Sequence, residues 1–137
     1  MLYSELSKTE IDRRKALTEN IRRIITSEMV IHHTDRDYML TTYREFFLQI
    51  SFSEVHPLMV FSLARPLRKD DPSMIDLCNE MNMNSVLGSH AINEAAICYH
   101  YRATHWLETE LTRDRFFEIL DRCVDEAEKG YCRLTDW

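Results

Sequence analysis

From Phe46 onward the chain alternates: Phe46, Leu48, Ile50 and Phe52 interleave with Phe47, Gln49, Ser51 and Ser53. A period of two places four large apolar groups on one face, so an antiparallel strand buried on one side is predicted. Past a turn at 53–57, Leu58 to Ala64 carries apolar residues on both faces and predicts a second, more central strand. Upstream the spacing changes. Leu17, Ile21, Ile24 and Ile25 recur at intervals of four and three, which predicts a helix with one buried stripe and leaves Arg13, Lys15, Glu19 and Arg22 in water. Ser7-Lys8-Thr9-Glu10 reads as its capping box, flanked by Leu6 and Ile11 as a hydrophobic staple, and the helix is predicted to end near Met29. Val30-Ile31 is then a short β-branched run, and Thr34 to Asp37 is a turn with a weak strand on each side.

In the second half, Asp71-Pro72 opens a helix, since aspartate caps well and proline at the first helical position loses no needed hydrogen bond. Ile75, Cys78, Met81 and Met74 form its expected buried stripe. Val86 to Ile92 and Ala95 to Ala103 predict a hairpin about Asn93-Glu94. Its second arm turns Ile97, Tyr99, Tyr101 and Ala103 to one side and Cys98, His100 and Arg102 to the other. Thr112 caps the last helix, Asp114 suits the dipole of its first turn, and Gly130 is placed just beyond its end. Phe116, Ile119, Leu120, Cys123, Val124 and Ala127 make its core face, expected to rest on the sheet face bearing Ile97 and Tyr99. The element order is α-β-β-(β)-α-β-β-α, an α+β class in which an antiparallel sheet is flanked by helices.

Length and composition narrow the picture. The 137 residues suit one domain, 1–137, able to bury about two-thirds of the unfolded chain's surface. A net charge of −6 argues against nucleic acid as a partner, because that affinity rests on neutralising phosphates with Lys and Arg. No run approaches the roughly 20 apolar residues of a membrane span, and no apolar core follows a basic N-terminus, so a cytoplasmic location is expected. Cys78, Cys98, Cys123 and Cys132 lie far apart, mostly within apolar periodic segments, with no short spacing for zinc or thiol exchange, so reduced thiols are expected.

Candidate chemistry is sparse. His32 and His33 point to opposite sides of a strand, and His90 and His100, which the hairpin brings near one another, have no placed carboxylate; no metal and no cofactor is expected. A cysteine nucleophile needs a thiolate beside a base in an open cleft, and these thiols are expected on packed positions. Basic clusters at Arg13-Arg14-Lys15, Arg22-Arg23 and Arg65 to Lys69 read as solvated surface. So does the acidic face of the last helix, Glu118, Asp121, Asp125, Glu126 and Glu128, with attraction of a basic partner as its second reading. An enzymatic or ligand-binding alternative places His100, Arg102 and His105 in a pocket between sheet and helices.

Seven methionines and fourteen aromatics either fill a core or leave surface for a partner. A sheet bearing Phe47, Phe61, Tyr99, Tyr101 and Trp106 exceeds what two or three helices on one face cover, and methionine with rigid aromatics suits an interface. A protein or peptide partner and a homodimer are therefore expected. Met74, Leu77, Met81, Phe61, Tyr101 and Trp106 are the candidate interface residues, and the helix from Pro72 to Met81 is part of the dimer contact.

One resemblance adds to this. Asn79-Glu80-Met81-Asn82, then Val86-Leu87-Gly88, a tyrosine-bearing strand, Glu110-Leu111-Thr112 and the helix up to Gly130-Tyr131 resemble the bacterial YbjN-like proteins, labelled regulators of sensory transduction and similar in fold to type III secretion chaperones. The match covers about the last 60 residues, and the first 70 agree only in element order. It implies a curved antiparallel sheet flanked by helices, a dimer, and a non-enzymatic protein-binding or regulatory role without an active site. The aromatic segment Tyr43 to Phe52 and the polar Val30 to Asp37 depart from the family pattern, which bears on the partner surface.

Overall fold

The computed structural model describes residues 6–53, 56–69, 71–107 and 110–136. Among them, the elements run α1 (Lys8–Glu28), β1 (His33–Thr34), β2 (Tyr38–Tyr43), β3 (Phe46–Phe52), β4 (Leu58–Pro66), α2 (Ser73–Asn82), β5 (Gly88–Asn93), β6 (Cys98–Trp106) and α3 (Arg113–Thr135). All six strands form one antiparallel sheet in the order β1-β2-β3-β4-β6-β5. The class and element order are those predicted. β4 is central as expected, and the weak strands expected on each side of the turn at 34–37 are β1 and β2, which makes four strands before α2 where the predicted order allowed three.

Alternation decides what each strand buries. The rows Met39–Ile50–Phe61–Ala103 and Thr41–Leu48–Leu63–Tyr101–His90 run across the sheet in register, and every one of these residues is buried. Over them lie α1, through Leu17, Ile21 and Ile25, and α3, through Phe116, Leu120, Cys123, Val124 and Ala127. The Phe116 ring meets Phe61 edge-on at 5.8 Å. Fully burying such a side chain is worth about 1.5–3 kcal/mol, so this stripe is the main tie between helix and sheet.

Local rules hold at most helix ends. Ser7 accepts from the Glu10 amide and Thr112 from the Arg115 amide. The reciprocal half of the capping box is replaced: the Glu10 carboxylate accepts from Arg13 and Arg14 instead, whose guanidinium groups hold it down at about 2. The Asp71 carboxylate accepts from the Ser73 amide, and α2 becomes regular from Ser73. Its buried stripe is Met74, Cys78 and Met81, while Ile75 is exposed.

Three expectations are corrected. Gly130 lies inside α3 and is buried, because a Cβ there would stand 2.5 Å from Nδ1 of His90. Ile97 does not join Tyr99 on the core face; it sits in the β5–β6 turn with φ of 49° and is 41% exposed. Third, the acidic face of α3 is occupied from within the chain. The two-residue turn between β2 and β3 places Arg44 and Glu45 in the left-handed region, φ 47° and 70°, at a cost of about 1–2 kcal/mol each. Arg44 reaches Asp125 at 2.7 Å and Glu128 at 2.9 Å, and the Tyr43 hydroxyl donates to Asp121, so α3 holds this turn in place. Burial, together with the Asp121 carboxylate, pushes Tyr43 up to about 12.

Candidate functional site

The helices reach the sheet through one face, at Thr34, Tyr43, Phe52, Phe61, Tyr101 and His105. The alternate positions point the other way. There the rows Leu40–Gln49–Ser62–Arg102–Ser89 and Thr42–Phe47–Ala64–His100–Ala91 cross five strands. Phe47 is 61% exposed and Trp106 65% exposed, while Leu58, Val60 and Ala64 of the intervening β4, and Leu40 of β2, are half-buried. A depression of about 370 Å³, lined by Leu40, Phe47, Ser62, Ala64 and His100 among others, opens in this face. Large side chains at both ends of an apolar surface that none of the described elements covers are the feature of this molecule that a monomeric fold does not require.

Charge distinguishes the same surface. The chain has 23 acidic against 17 basic residues. Yet the strand positions on the open face hold no Asp or Glu; their ionisable groups are Arg102, His100, His33 and thiols or phenols. The Arg102 side chain is exposed and makes neither hydrogen bond nor ion pair with a described residue. Burial, and then the neighbouring Arg102 charge, hold His100 below the ordinary histidine value.

The predicted site residues divide between the two faces. Phe61 and Tyr101 lie in the core, in register with Ile50 and Leu48, and Met74 and Met81 are buried under α2. Leu77 is half-buried, so of the six candidate interface residues Trp106 alone stands exposed. His100, Arg102 and His105 do not converge, because one odd step along β6 reverses the side: His105 faces α3, with Nε2 3.4 Å from Sγ of Cys123. The same parity separates His90, on the helix face, from His100. Burial, with Glu126 nearby, pushes the Cys123 thiol up to about 12, which suits packing and not nucleophilic attack. Cys132 is exposed, contrary to the packed position expected for it, because α3 continues past Gly130 and carries it on the outer side. Among the described residues, no group of three or more His, Cys, Asp or Glu is gathered around a common point, and no helix is long and apolar enough to cross a membrane.

A second polar cluster sits where α2 and α3 meet β5. His90, 5% exposed, is hydrogen-bonded to the Tyr99 hydroxyl, and burial holds its pKa below the ordinary value. Asn82 accepts from the His90 amide at 2.7 Å and donates to its carbonyl at 2.9 Å. Glu126 accepts from the amides of Val86, Leu87 and Gly88 and from the Tyr101 hydroxyl. Burial opposes its charge, but these donors hold the carboxyl below its usual range. Every group here is matched to a partner within the chain, which marks the cluster as a clasp that fixes α2 and β5 to α3. Sequence reasoning missed the clasp, since its members lie up to some 40 positions apart. It also grouped buried and exposed aromatics, although parity with Phe46 and Tyr99 already separates Phe47 and Trp106 from the core.

No family model matches the sequence, and no curated protein matches it. Solved structures do. A chain of the HopA1–SchA chaperone–effector complex is similar over 91% of this chain and 97% of its own, with a TM-score of 0.59 and 12% identity. The type III secretion chaperone SycH of Yersinia pestis, solved with a stable fragment of YscM2, covers 82% of this chain and 98% of its own at a TM-score of 0.56 and 10% identity. YbjN of E. coli covers 82% and 87% at a TM-score of 0.58 and 10% identity. The fold is therefore type III secretion chaperone-like. At such identities the likeness to YbjN is one of architecture.

Proposed function

We propose that this chain is a non-enzymatic protein-binding module, chaperone-like in architecture, that receives a segment of a partner protein on the open face of its sheet. The observation that carries this is the pair Phe47 and Trp106, large aromatic side chains exposed at the two ends of an apolar surface that no described element covers, since rigid aromatics in such positions anchor protein interfaces. The fold supports the reading: solved structures of this architecture include a secretion chaperone bound to a protein fragment and a chaperone–effector complex. A regulatory role in bacterial sensory transduction, implied by the YbjN-like resemblance, fits the same module. We place it in the cytoplasm as a homodimer whose contact includes α2, where Ile75 is exposed beside the half-buried Leu77 and Met83 and Val86 are exposed just past the helix end.

The test compares the wild type with Phe47→Ser/Trp106→Ser as baits in native extract. Both positions are exposed, so the double variant retains the circular dichroism of the wild type. A protein held by the wild type and lost from the variant supports the open face as the binding surface; identical retention by both refutes it. Light scattering at micromolar concentration that shows only a 16.4 kDa species refutes the homodimer.

A further inference from the structure

Resting on the open face as a docking surface, the geometry points to a particular occupant. Strand addition at the β5 edge is blocked, because Asn82 already holds the His90 amide and carbonyl and Glu126 holds the Gly88 amide. The opposite edge strand, β1, has two residues. A partner segment must therefore cross the face. An extended segment lying across it would leave its own backbone groups without partners, whereas a helix satisfies them internally and supplies the third layer that an apolar sheet face accepts.

Length and charge follow from the register. Phe47 pairs with Ala64, Trp106 with Leu58, and β4 separates β3 from β6. At strand rise and spacing the two aromatics stand roughly 22 Å apart, the length of about 15 helical residues. Between them along the strands lies Arg102, beside His100, and the strand positions on this face hold no carboxylate. The chain's own acidic helix is a poor match, since Asp125 and Glu128 are taken by Arg44, Glu118 by Arg115 and Arg122, and Glu126 by the backbone of 86–88. We propose that the open face binds an acidic amphipathic helix of a partner protein, with apolar anchors near both ends of its buried stripe and carboxylates between them.

Two labelled synthetic helices of about 16 residues test this, alike in Leu and Trp anchors and differing only in Glu or Lys at the middle of the stripe. Each is titrated with the full chain and followed by fluorescence anisotropy. The Glu helix is expected to bind about fivefold to tenfold more tightly, with the gap narrowing at high salt and inverting in Arg102→Glu. Both helices are expected to lose binding to Phe47→Ser/Trp106→Ser. Equal affinities would overturn the acidic selection and leave the docking face standing. Binding undiminished in the double serine variant would remove both, and failure of both helices to bind would remove the helical occupant. A wild-type dimer that the double variant dissociates would give the face to a second copy and overturn the proposal.

Discussion

Gly130→Ala sets a local rule against a tertiary one. Within a helix the change should help by about 0.5–1 kcal/mol, because alanine restricts the unfolded chain and suits helical backbone. Here the added Cβ would stand 2.5 Å from Nδ1 and 2.6 Å from Cε1 of His90, and 2.9 Å from the Tyr99 hydroxyl oxygen. The ring cannot give way freely, being 5% exposed and hydrogen-bonded to Tyr99. Overpacking costs about 1–3 kcal/mol, and leaving the buried Tyr99 hydroxyl without its partner about as much again. After the propensity gain the expected net loss is about 3 kcal/mol, a sizeable part of a domain's usual 5–15 kcal/mol. Removing the ring should relieve most of this: in a His90→Ala background only the 2.9 Å approach to the Tyr99 hydroxyl remains, and Gly130→Ala is expected to cost about 1 kcal/mol or less. Urea melts of the four proteins, followed by helical circular dichroism, measure the cycle. If Gly130→Ala stabilises the wild type, or costs the same in both backgrounds, contact with His90 is not the reason for this glycine.

Phe116→Ala should cost about 3–5 kcal/mol because the ring is fully buried against Phe61; half-buried Phe117, beside Tyr43 and under Arg113, should cost about 1–2 kcal/mol, and equal small losses in urea melts would mean that α3 is not docked this way. Burial holds His90, His100 and His105 below the ordinary 6.5, so the unfolded chain takes up protons first. Stability should thus be complete above that pH and fall as the pH drops below it, before Glu126, Glu28 and Asp71, whose values are also lowered, add their own loss at more acid pH; a urea midpoint unchanged from neutrality to mild acid would contradict this. Thiol titration should find Cys132 reactive in the native protein, and Cys78 and Cys123 reactive only after denaturation; prompt native reaction at all of them would show the core more open than described.

Burial on one side imposes a period on the residues themselves, and that is why α1, β3, β4, β6 and α3 could be read from spacing alone. The same alternation contained the division between Phe61 and Tyr101 inside and Phe47 and Trp106 outside, one step of parity apart. Contacts between distant segments leave no such period. A glycine near the end of an apolar stripe looks like a helix stop, and only His90, forty positions earlier, shows why α3 runs through it. Charges on α3 look solvated until the β2–β3 turn brings Arg44 against them, and Asn82 looks like a helix end until β5 is laid beside it. The open face belongs with these. β4 is apolar on both sides whether or not a third layer covers it, so alternation names the residues of that face, but only the placement of the helices together on the other side leaves it uncovered.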